Sequence, residues 1–397
     1  MANIVQQIGA VSAMSLRSIP SRLGSSLVIV IGIAGVVGVM VALLSMAAGF
    51  EATLASTGRA ERVIMLRGGA TDELGSVIYK AQGDAVRDVA GIKQTADGRP
   101  LMLLEVYLLT EIVKIGGEGS NVVVRGTDPD VLQVRDEARI VQGRMFRPGT
   151  REVIVGRGAQ SEFEGLALGK SVDVRDGGWT IVGVFETGGD THESELWVDR
   201  ATLQSASRRL AYTTVTAVLE DASPAGFTAF KDRLTTDPRL NLQVQREPDY
   251  YKSRSVGLSQ FINGLGYTVA VIMAIGALFG ALNTMYAAIS TRTVEIGTLR
   301  AIGFGGAPVV ISILIEALLL ALAGSLIGAA LAYFFFNGYT VSTLNIQTFS
   351  QTAFAFRVTP AVLMQGVIWA VAIGFLGGLF PALRAARLPV TEALRAQ

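Results

Sequence analysis

The chain has 397 residues, half of them apolar, and its mean hydropathy of +0.45 is high for a soluble protein and low for an entirely membrane-embedded one. This balance predicts a few membrane spans together with a sizeable soluble part. The net charge of +1 gives no indication of nucleic-acid binding, the absence of cysteine excludes disulfides and thiolate chemistry, and the single histidine, His192, excludes a multi-histidine metal or catalytic site.

The first 50 residues predict a cytoplasmic segment followed by a membrane span. Residues 1–22 carry Ile4, Ile8 and Val11 at helical spacing, which fits either an amphipathic helix on the membrane surface or a frayed cytoplasmic tail. Residues 23–50 are uncharged and longer than the apolar core of a signal peptide, which has roughly 7–15 residues. We therefore interpret 23–50 as an uncleaved first transmembrane helix, TM1.

Residues 51–256 change in character and predict a mixed α/β domain. Ser223 and Pro224 precede Ala225–Leu234 as the N-cap and first residue of a predicted helix. Apolar and β-branched residues predict five strands, at Arg62–Leu66, Leu101–Leu109, Asn121–Arg125, Glu152–Val155 and Thr180–Phe185.

Charge predicts on which side of the membrane this domain lies. The domain has 26 Lys and Arg against 30 Asp and Glu, a net charge of −4. The short segments that we assign to the cytoplasm hold seven arginines against Glu295 and Glu392. Because basic residues are enriched in short cytoplasmic segments, the domain is predicted to be periplasmic. The seven are Arg17, Arg22, Arg292, Arg300, Arg384, Arg387 and Arg395.

Two stretches of the domain resemble ligand sites only superficially. Gly165–Ser171 is one residue short of a phosphate-binding loop and lacks a preceding hydrophobic strand, so we interpret it as a chance match. Residues 188–195 gather acidic side chains around His192, and we interpret them as a solvated loop rather than a divalent-metal site. We predict neither metal ligands nor catalytic residues.

The second predicted span has a long uncharged stretch. No charged residue occurs from Ser255 to Ser290, which as a helix is about 50 Å long and exceeds a hydrocarbon core of about 30 Å. We predict TM2 at 257–290, with a stalk that projects beyond the membrane. Gly276 and Gly280 have the spacing of a close helix contact.

The remaining sequence predicts two more spans, and the first of them contains Glu316. Intramembrane carboxylates are costly and mark either a functional site or a hydrogen-bonded residue that braces adjacent helices; we interpret Glu316 as a bracing residue. The predicted segments are a cytoplasmic loop at 291–306, TM3 at 307–337, a short periplasmic loop at 338–359, TM4 at 360–384 and a cytoplasmic C-terminus at 385–397.

The cytoplasmic loop carries the pattern Arg-x-x-Glu-Ile-Gly-x-x-Arg-Ala-x-Gly. This pattern resembles the signature of the MacB/FtsX-like permeases of ABC transporters, in which the loop forms a short coupling helix that docks on a separate ATPase subunit. On this resemblance the arginines would hydrogen-bond to the ATPase, the glutamate would pair with one of them or with the partner, and the first glycine would permit close backbone approach. The implied coupling residues are Arg292, Glu295, Ile296, Gly297, Arg300, Ala301 and Gly303.

Two further stretches are similar to the same family. Residues 168–185 resemble a hairpin of the MacB-type periplasmic domain, and residues 378–395 resemble the C-terminal ending of the family with one fewer residue before its proline. By analogy, the periplasmic domain would have a porter-like part at 51–120 and 205–256 and an inserted β-rich part at 121–204.

The expected fold is an α-helical membrane domain of four transmembrane helices, with a large α/β extracytoplasmic domain inserted between helices 1 and 2. The resemblance implies a permease subunit of the bacterial inner membrane without an ATPase site of its own. It would work by mechanotransmission, coupling ATP hydrolysis on a separate ATPase to movements of the periplasmic domain for export of a periplasmic substrate.

The implied partners are a cytoplasmic ABC ATPase that binds ATP and Mg²⁺, a second permease copy or paralogue, the lipid bilayer, and a membrane-fusion adaptor with an outer-membrane channel. No nucleic acid and no directly bound cofactor are expected. Three alternatives remain open: a lipoprotein-extraction permease, a cell-envelope signalling scaffold that controls cell-wall hydrolases, and an adhesion or receptor protein without an ATPase partner.

Overall fold

A computed structural model describes residues 4–17, 23–175, 177–345 and 350–393. Arg22 and Arg395, two of the arginines used in the charge argument, lie outside the described residues. The chain divides into a helical unit and an α/β unit. The helical unit comprises Met1–Ala48, Gln260–Tyr339 and Phe356–Gln397, and the α/β unit comprises Gly49–Ser259 and Thr340–Ala355.

The described elements are twelve α-helices and twelve strands, with a 3-10 helix at Thr191–Ser194. The helices are α1 Ile4–Arg17, α2 Leu23–Ser56, α3 Lys80–Val86, α4 Val131–Val134, α5 Arg157–Glu162, α6 Arg200–Ser207, α7 Pro224–Thr236, α8 Glu247–Ser290, α9 Thr293–Ala301, α10 Gly306–Phe336, α11 Pro360–Arg387 and α12 Val390–Ala393. The strands are β1 Arg62–Arg67, β2 Met102–Val113, β3 Gly119–Thr127, β4 Arg139–Gly143, β5 Glu152–Gly156, β6 Ser171–Asp173, β7 Gly178–Glu186, β8 Glu195–Asp199, β9 Thr214–Val218, β10 Leu242–Arg246, β11 Thr340–Asn345 and β12 Ser350–Ala355.

Among the described residues, four helices are long and apolar enough to cross a membrane: Ser26–Ser56 within α2, and the whole of α8, α10 and α11. The large α/β insertion lies between the first and the second of these helices. The predicted fold class is therefore confirmed.

Glycine allows α2 and α10 to pack closely in the helical unit. A Cβ atom added at Gly324 would lie 2.7 Å from the carbonyl oxygen of Val30, and one added at Gly328 would overlap that of Ala34. Neither position tolerates a side chain without a shift of the helix backbone. Gly276 and Gly280 of α8, in contrast, face open space within this chain.

Helix α8 is a single helix of 44 residues. At 1.5 Å per residue it is about 66 Å long, roughly twice the thickness of a hydrocarbon core. The uncharged stretch therefore lies in one continuous helix that begins before it, at Glu247, and the projecting stalk stays a prediction.

Helix α1 packs against α10, with Val11 and Ser12 buried. For residues 4–17 the frayed-tail alternative is therefore wrong, because these residues form a helix in which Val11 is buried against protein. Residues 1–3 and 18–22 of the predicted N-terminal segment lie outside the described residues.

The α/β unit is built on a ten-stranded sheet in the order β10-β1-β9-β2-β3-β8-β5-β7-β4, with β6 paired to β7. Strand β2 joins two groups of strands, because Met102–Glu105 pairs with β9 and Val106–Val113 pairs with β3. All five predicted strands are confirmed, and so is helix α7, where the Ser223 hydroxyl accepts from the Gly226 N–H at 3.0 Å. Gly165–Ser171 leads into strand β6 rather than into a helix, unlike a phosphate-binding loop.

The short connection predicted at 338–359 contains a β-hairpin that the sequence reasoning missed. Strands β11 and β12 pair antiparallel and belong to the α/β unit. The Ala353 N–H donates to Ser194 Oγ at 3.1 Å, and Gln351 Nε2 donates to Ser120 Oγ at 2.8 Å. The hairpin therefore extends the α/β unit with a segment that follows TM3 in the sequence.

The loop predicted to be solvated at 188–195 is largely buried, so that prediction is wrong. His192 is 0% exposed, its Nδ1 lies 3.3 Å from Asp190 Oδ2, and its Nε2 lies 3.1 Å from the Tyr251 hydroxyl. Tyr251 is 59 residues away in sequence. Asp190 caps the 3-10 helix and lies beside His192. Glu193 accepts from the Thr187 and Gly189 N–H groups, and Glu195 pairs with Arg125. Among the described residues, no group of three His, Asp or Glu side chains is placed to hold a metal ion.

Candidate coupling site

Helix α9 occupies the centre of the pattern Arg292–Gly303. It ends in the hydrogen-bond arrangement of a Schellman motif, in which the Phe304 N–H donates to Leu299 O at 3.0 Å and the Gly303 N–H donates to Arg300 O at 3.1 Å. Gly303 has a φ of +103°, which a side chain would strain. The last glycine of the pattern thus terminates the helix.

The inner face of α9 packs within the helical unit. Ile296 and Gly297 are buried. A Cβ atom added at Gly297 would lie 2.7 Å from Ala393 Cβ in helix α12. Close backbone approach at Gly297 was expected towards the ATPase, and the structure shows a close approach to the C-terminal segment of the same chain.

The two arginines of the pattern, Arg292 and Arg300, both have partners inside the chain. Arg292 Nε lies 3.2 Å from Glu295 Oε2, and its Nη1 lies 3.4 Å from Glu316 Oε2 on α10. Arg300 Nη1 donates to the Leu388 carbonyl oxygen at 2.6 Å. These contacts fix both ends of α9, and the predicted contacts of the two arginines with an ATPase remain a prediction.

Glu316 is 5% exposed and is the only charged residue of α10. From the sequence we interpret it as a bracing residue, and in the structure it pairs with Arg292. The sequence could not reveal this pair. Arg292 and Glu316 are 24 residues apart, and only the packing of α9 and α10 brings them together.

The outer face of α9 is exposed. The side chain of Glu295 is 60% exposed and Ile302 is 72% exposed. Val294, Thr298 and Ala301 are also exposed. These residues recur at the three- and four-residue spacing that places them along one side of a helix. This side of the helix therefore exposes the apolar Val294 together with the charged Glu295, and the exposed Ile302 follows directly after the helix.

A buried network of charges at the start of α8 was missed by the sequence reasoning. Glu247, the first residue of α8, is fully buried; it accepts from Arg135 Nη1 at 2.6 Å and from Arg62 Nε. Arg62 also pairs with Glu137 at 2.6 Å, and Arg135 pairs with Glu105 at 3.1 Å. The network therefore ties the first turn of α8 to strands β1 and β2.

The arginines determine the protonation of this network. Burial by itself raises the pKa of Glu247, but Arg135 and Arg62 outweigh it and hold that pKa below its ordinary value. Burial likewise raises the pKa of Glu137, but the hydrogen bond from Arg62 outweighs burial and that pKa is lowered to about 2. Both carboxyl groups are therefore ionised at neutral pH.

A second part of the network surrounds Arg125. Its guanidinium contacts Glu73 and Glu195, each at 2.7 Å, and Trp197 Nε1 donates to Glu195 at 2.8 Å. The available sequence signal was a charged residue in each of two largely apolar strands: Glu105 lies within one predicted strand, and Arg125, of opposite sign, ends another. Pairing of β2 with β3 brings those strands together.

Comparison with known proteins agrees with this architecture. Residues 24–236 match the family described as MacB-like periplasmic core domain, and residues 267–390 match the FtsX-like permease C-terminal family. Four apolar helices with an α/β insertion after the first define an integral membrane protein with a large extramembrane domain. The two matches cover most of the chain, which belongs to the MacB/FtsX-like family of ABC transporter permeases.

Each of the individual relatives described next matches a smaller part of this chain than the two families do together. The macrolide export ATP-binding/permease protein MacB of Photorhabdus laumondii is 35% identical over 126 residues, which are 32% of this chain and 18% of the relative. The protein of the same name from Shewanella oneidensis is 23% identical over 307 residues, 71% of this chain and 44% of the relative. The chain thus spans less than half the length of these relatives. The periplasmic region of MacB from Actinobacillus actinomycetemcomitans superposes with a TM-score of 0.37 at 11% identity, covering 49% of this chain and 92% of that one.

Proposed function

We propose that this chain is the permease subunit of an ABC transporter in the bacterial inner membrane. It couples ATP hydrolysis on a cytoplasmic ABC ATPase to movements of its periplasmic domain, and thereby exports a periplasmic substrate. ATP and Mg²⁺ bind to the ATPase, while the permease performs no bond chemistry. A second permease copy or paralogue, a membrane-fusion adaptor and an outer-membrane channel complete the proposed assembly.

The single observation that carries this proposal is the two-sided character of α9. Its inner face, Ile296 and Gly297, is buried within the chain, and its outer face exposes Glu295 and Thr298, followed directly after the helix by the exposed Ile302. Apolar residues exposed next to polar ones are typical of a protein–protein contact surface. An ATPase that docks there acts on a helix that is held firmly by its own chain.

Helix α8 provides a path for the coupling. Only Thr291 and Arg292 separate α8 from α9, so the two helices are joined by a very short connection. Displacement of α9 therefore acts on the end of a continuous 44-residue helix. The other end of that helix carries Glu247, which is bound to Arg62 and Arg135 of the α/β unit. A stiff helix of this kind lets nucleotide bound to the ATPase favour one of two arrangements of the permease over the other.

The test is affinity purification of the tagged protein from membranes in mild detergent with nucleotide, followed by mass spectrometry. We expect an ABC ATPase to be recovered, and Ile302→Asp to reduce its recovery about tenfold or more, as for a central interface residue. Leu210→Asp is the matched control, because Leu210 is an exposed leucine of the α/β unit.

The proposal is contradicted if the unaltered protein brings down no ABC ATPase. It is also contradicted if Ile302→Asp and the Leu210→Asp control bring down equal amounts of the ATPase. The other proteins recovered distinguish the alternatives. An adaptor supports export, a bound lipoprotein supports lipoprotein extraction, and a cell-wall hydrolase supports a signalling scaffold.

A further inference from the structure

We propose that Glu316 is the positioning residue through which helix α10 follows the movement of the coupling helix α9. The inference rests on the proposed function and adds a second route for the coupling, from α9 to α10 through Arg292. Glu316 takes no part in proton transfer or substrate binding in this proposal, and it acts on the ATPase only through Arg292.

The first step of the argument is the cost of the carboxyl group. Acidic residues within membrane helices are unfavourable and persist where they have a partner. Glu316 is the only charged residue in the 31 residues of α10, and it is 5% exposed. Its Oε2 lies 3.4 Å from Arg292 Nη1, and the Arg292 side chain is itself only 13% exposed. A water-shielded pair of this kind is screened less by salt than a surface pair.

The second step concerns the covalent connection between α9 and α10. It consists of Ile302–Gly305 and contains Gly303, with a φ of +103°, and Gly305. Gly303 and Phe304 are held by the hydrogen bonds that end α9, but glycine has more backbone freedom than any other residue, so the connection can bend at Gly305. A displacement of α9 reaches α10 more directly through the Arg292–Glu316 pair than along this short glycine-containing loop.

The third step is that α9 is held as a rigid body. Gly297 packs against Ala393, and Arg300 donates to Leu388 O at 2.6 Å. Glu316 thus joins α10 to the N-terminal end of α9 through an ion pair, while the C-terminal segment holds the middle and the C-terminal end of α9. Loss of the Glu316 carboxylate breaks the ion pair between α9 and α10 and leaves the contacts of α9 with the C-terminal segment in place.

The fold should survive the loss of Glu316. Arg292 keeps Glu295 at 3.2 Å, so its charge retains a partner, and Ile296 remains packed. A glutamine at position 316 is close in size and keeps a polar group where the carboxylate was. The variant therefore tests the coupling rather than the assembly of the membrane helices.

The experiment uses the permease purified with the ATPase that accompanies it, reconstituted in lipid nanodiscs. Glu316→Gln and Arg292→Gln are each expected to lower the kcat of ATP hydrolysis about tenfold, a typical size for coupling between two sites. The amount of co-purified ATPase and the KM for ATP are expected to be unchanged for Glu316→Gln. The double variant is expected to lose about tenfold as well, rather than about a hundredfold, because residues that act as a pair are not additive.

Ser325→Ala is the matched control, because Ser325 is buried in α10 and its hydroxyl donates to Leu322 O of the same helix at 2.9 Å. It should keep the kcat of the unaltered complex. An unchanged kcat in Glu316→Gln, multiplied losses in the double variant, or an equal loss in Ser325→Ala would overturn the inference. Failure of the unaltered permease to bring down any ABC ATPase would instead contradict the proposed function.

Discussion

Buried charges occur in both units of this protein, but their arrangement differs. In the α/β unit, Arg62, Arg125 and Arg135 are almost completely buried and each binds at least two carboxyl groups. In the helical unit, Glu316 contacts Arg292, whose other ion-pair partner, Glu295, lies at the exposed surface of α9. The first arrangement fixes the start of α8 in one position. The second connects a buried residue of α10 to a surface on which a partner can act.

The largest expected effect is in the α/β network. Glu247→Ala leaves Arg62 and Arg135 buried with one carboxyl partner fewer, and loss of one member of a buried pair costs about 3–5 kcal/mol. We expect the α/β unit to become less stable by this amount. Thermal unfolding followed by the fluorescence of the buried Trp179 and Trp197 measures it.

Arg87→Ala is the control for this prediction, since the Arg87–Asp84 pair is about half exposed on both sides. Exposed pairs contribute little, so its unfolding temperature should stay close to that of the unaltered protein. Similar unfolding temperatures for Glu247→Ala and Arg87→Ala would show that burial of the network does not matter to stability.

A smaller effect is expected where α9 meets α12. Gly297→Ala places a Cβ atom 2.7 Å from Ala393 Cβ, and overpacking of a well-packed contact costs about 1–3 kcal/mol. We expect faster proteolysis of the C-terminal segment, measured by limited digestion in detergent. Gly276→Ala has open space around its added methyl group and should digest like the unaltered protein. Equal digestion of all three proteins would refute this packing contact.

The smallest effect concerns pH near neutrality. The folded-state pKa of Glu247 is below its ordinary value, and that of Glu137 is lowered from 4.5 to about 2. A lowered pKa contributes stability above the unfolded-state value, and this contribution is lost as the pH falls through the folded-state value. The unfolding temperature of the α/β unit should therefore change little between pH 7 and pH 5 and fall below about pH 4.5. A steep fall already between pH 7 and pH 5 would contradict the assignment of these carboxylates as ionised partners.

The sequence allowed the four spans, the α/β insertion and the coupling segment to be predicted because each depends on local information. Long apolar runs specify α2, α8, α10 and α11, and the twelve-residue pattern specifies α9. Alternation of apolar residues was enough for the central strands. None of these inferences needs to know which distant residues meet.

What could not be predicted depends on contacts between distant residues. Arg300 and Leu388 are 88 residues apart, and Arg62 and Glu247 are 185 apart. His192 contacts Tyr251, which is 59 residues away in the sequence. Local composition does not contain this contact, and for that reason the polar loop around His192 looked solvated. The β11–β12 hairpin was missed because its strands are mostly polar and belong to a unit formed far earlier in the sequence.

The central claim is that the outer face of α9 is the docking surface for an ABC ATPase. The most direct measurement replaces Ile302 with a photoreactive amino acid, irradiates intact membranes and identifies the adducts by mass spectrometry. The same replacement at Phe334, an exposed residue of α10, is the control. We predict an adduct with an ABC ATPase from position 302 and none from position 334. Absence of an ATPase adduct at position 302, or equal adducts at both positions, would contradict the account.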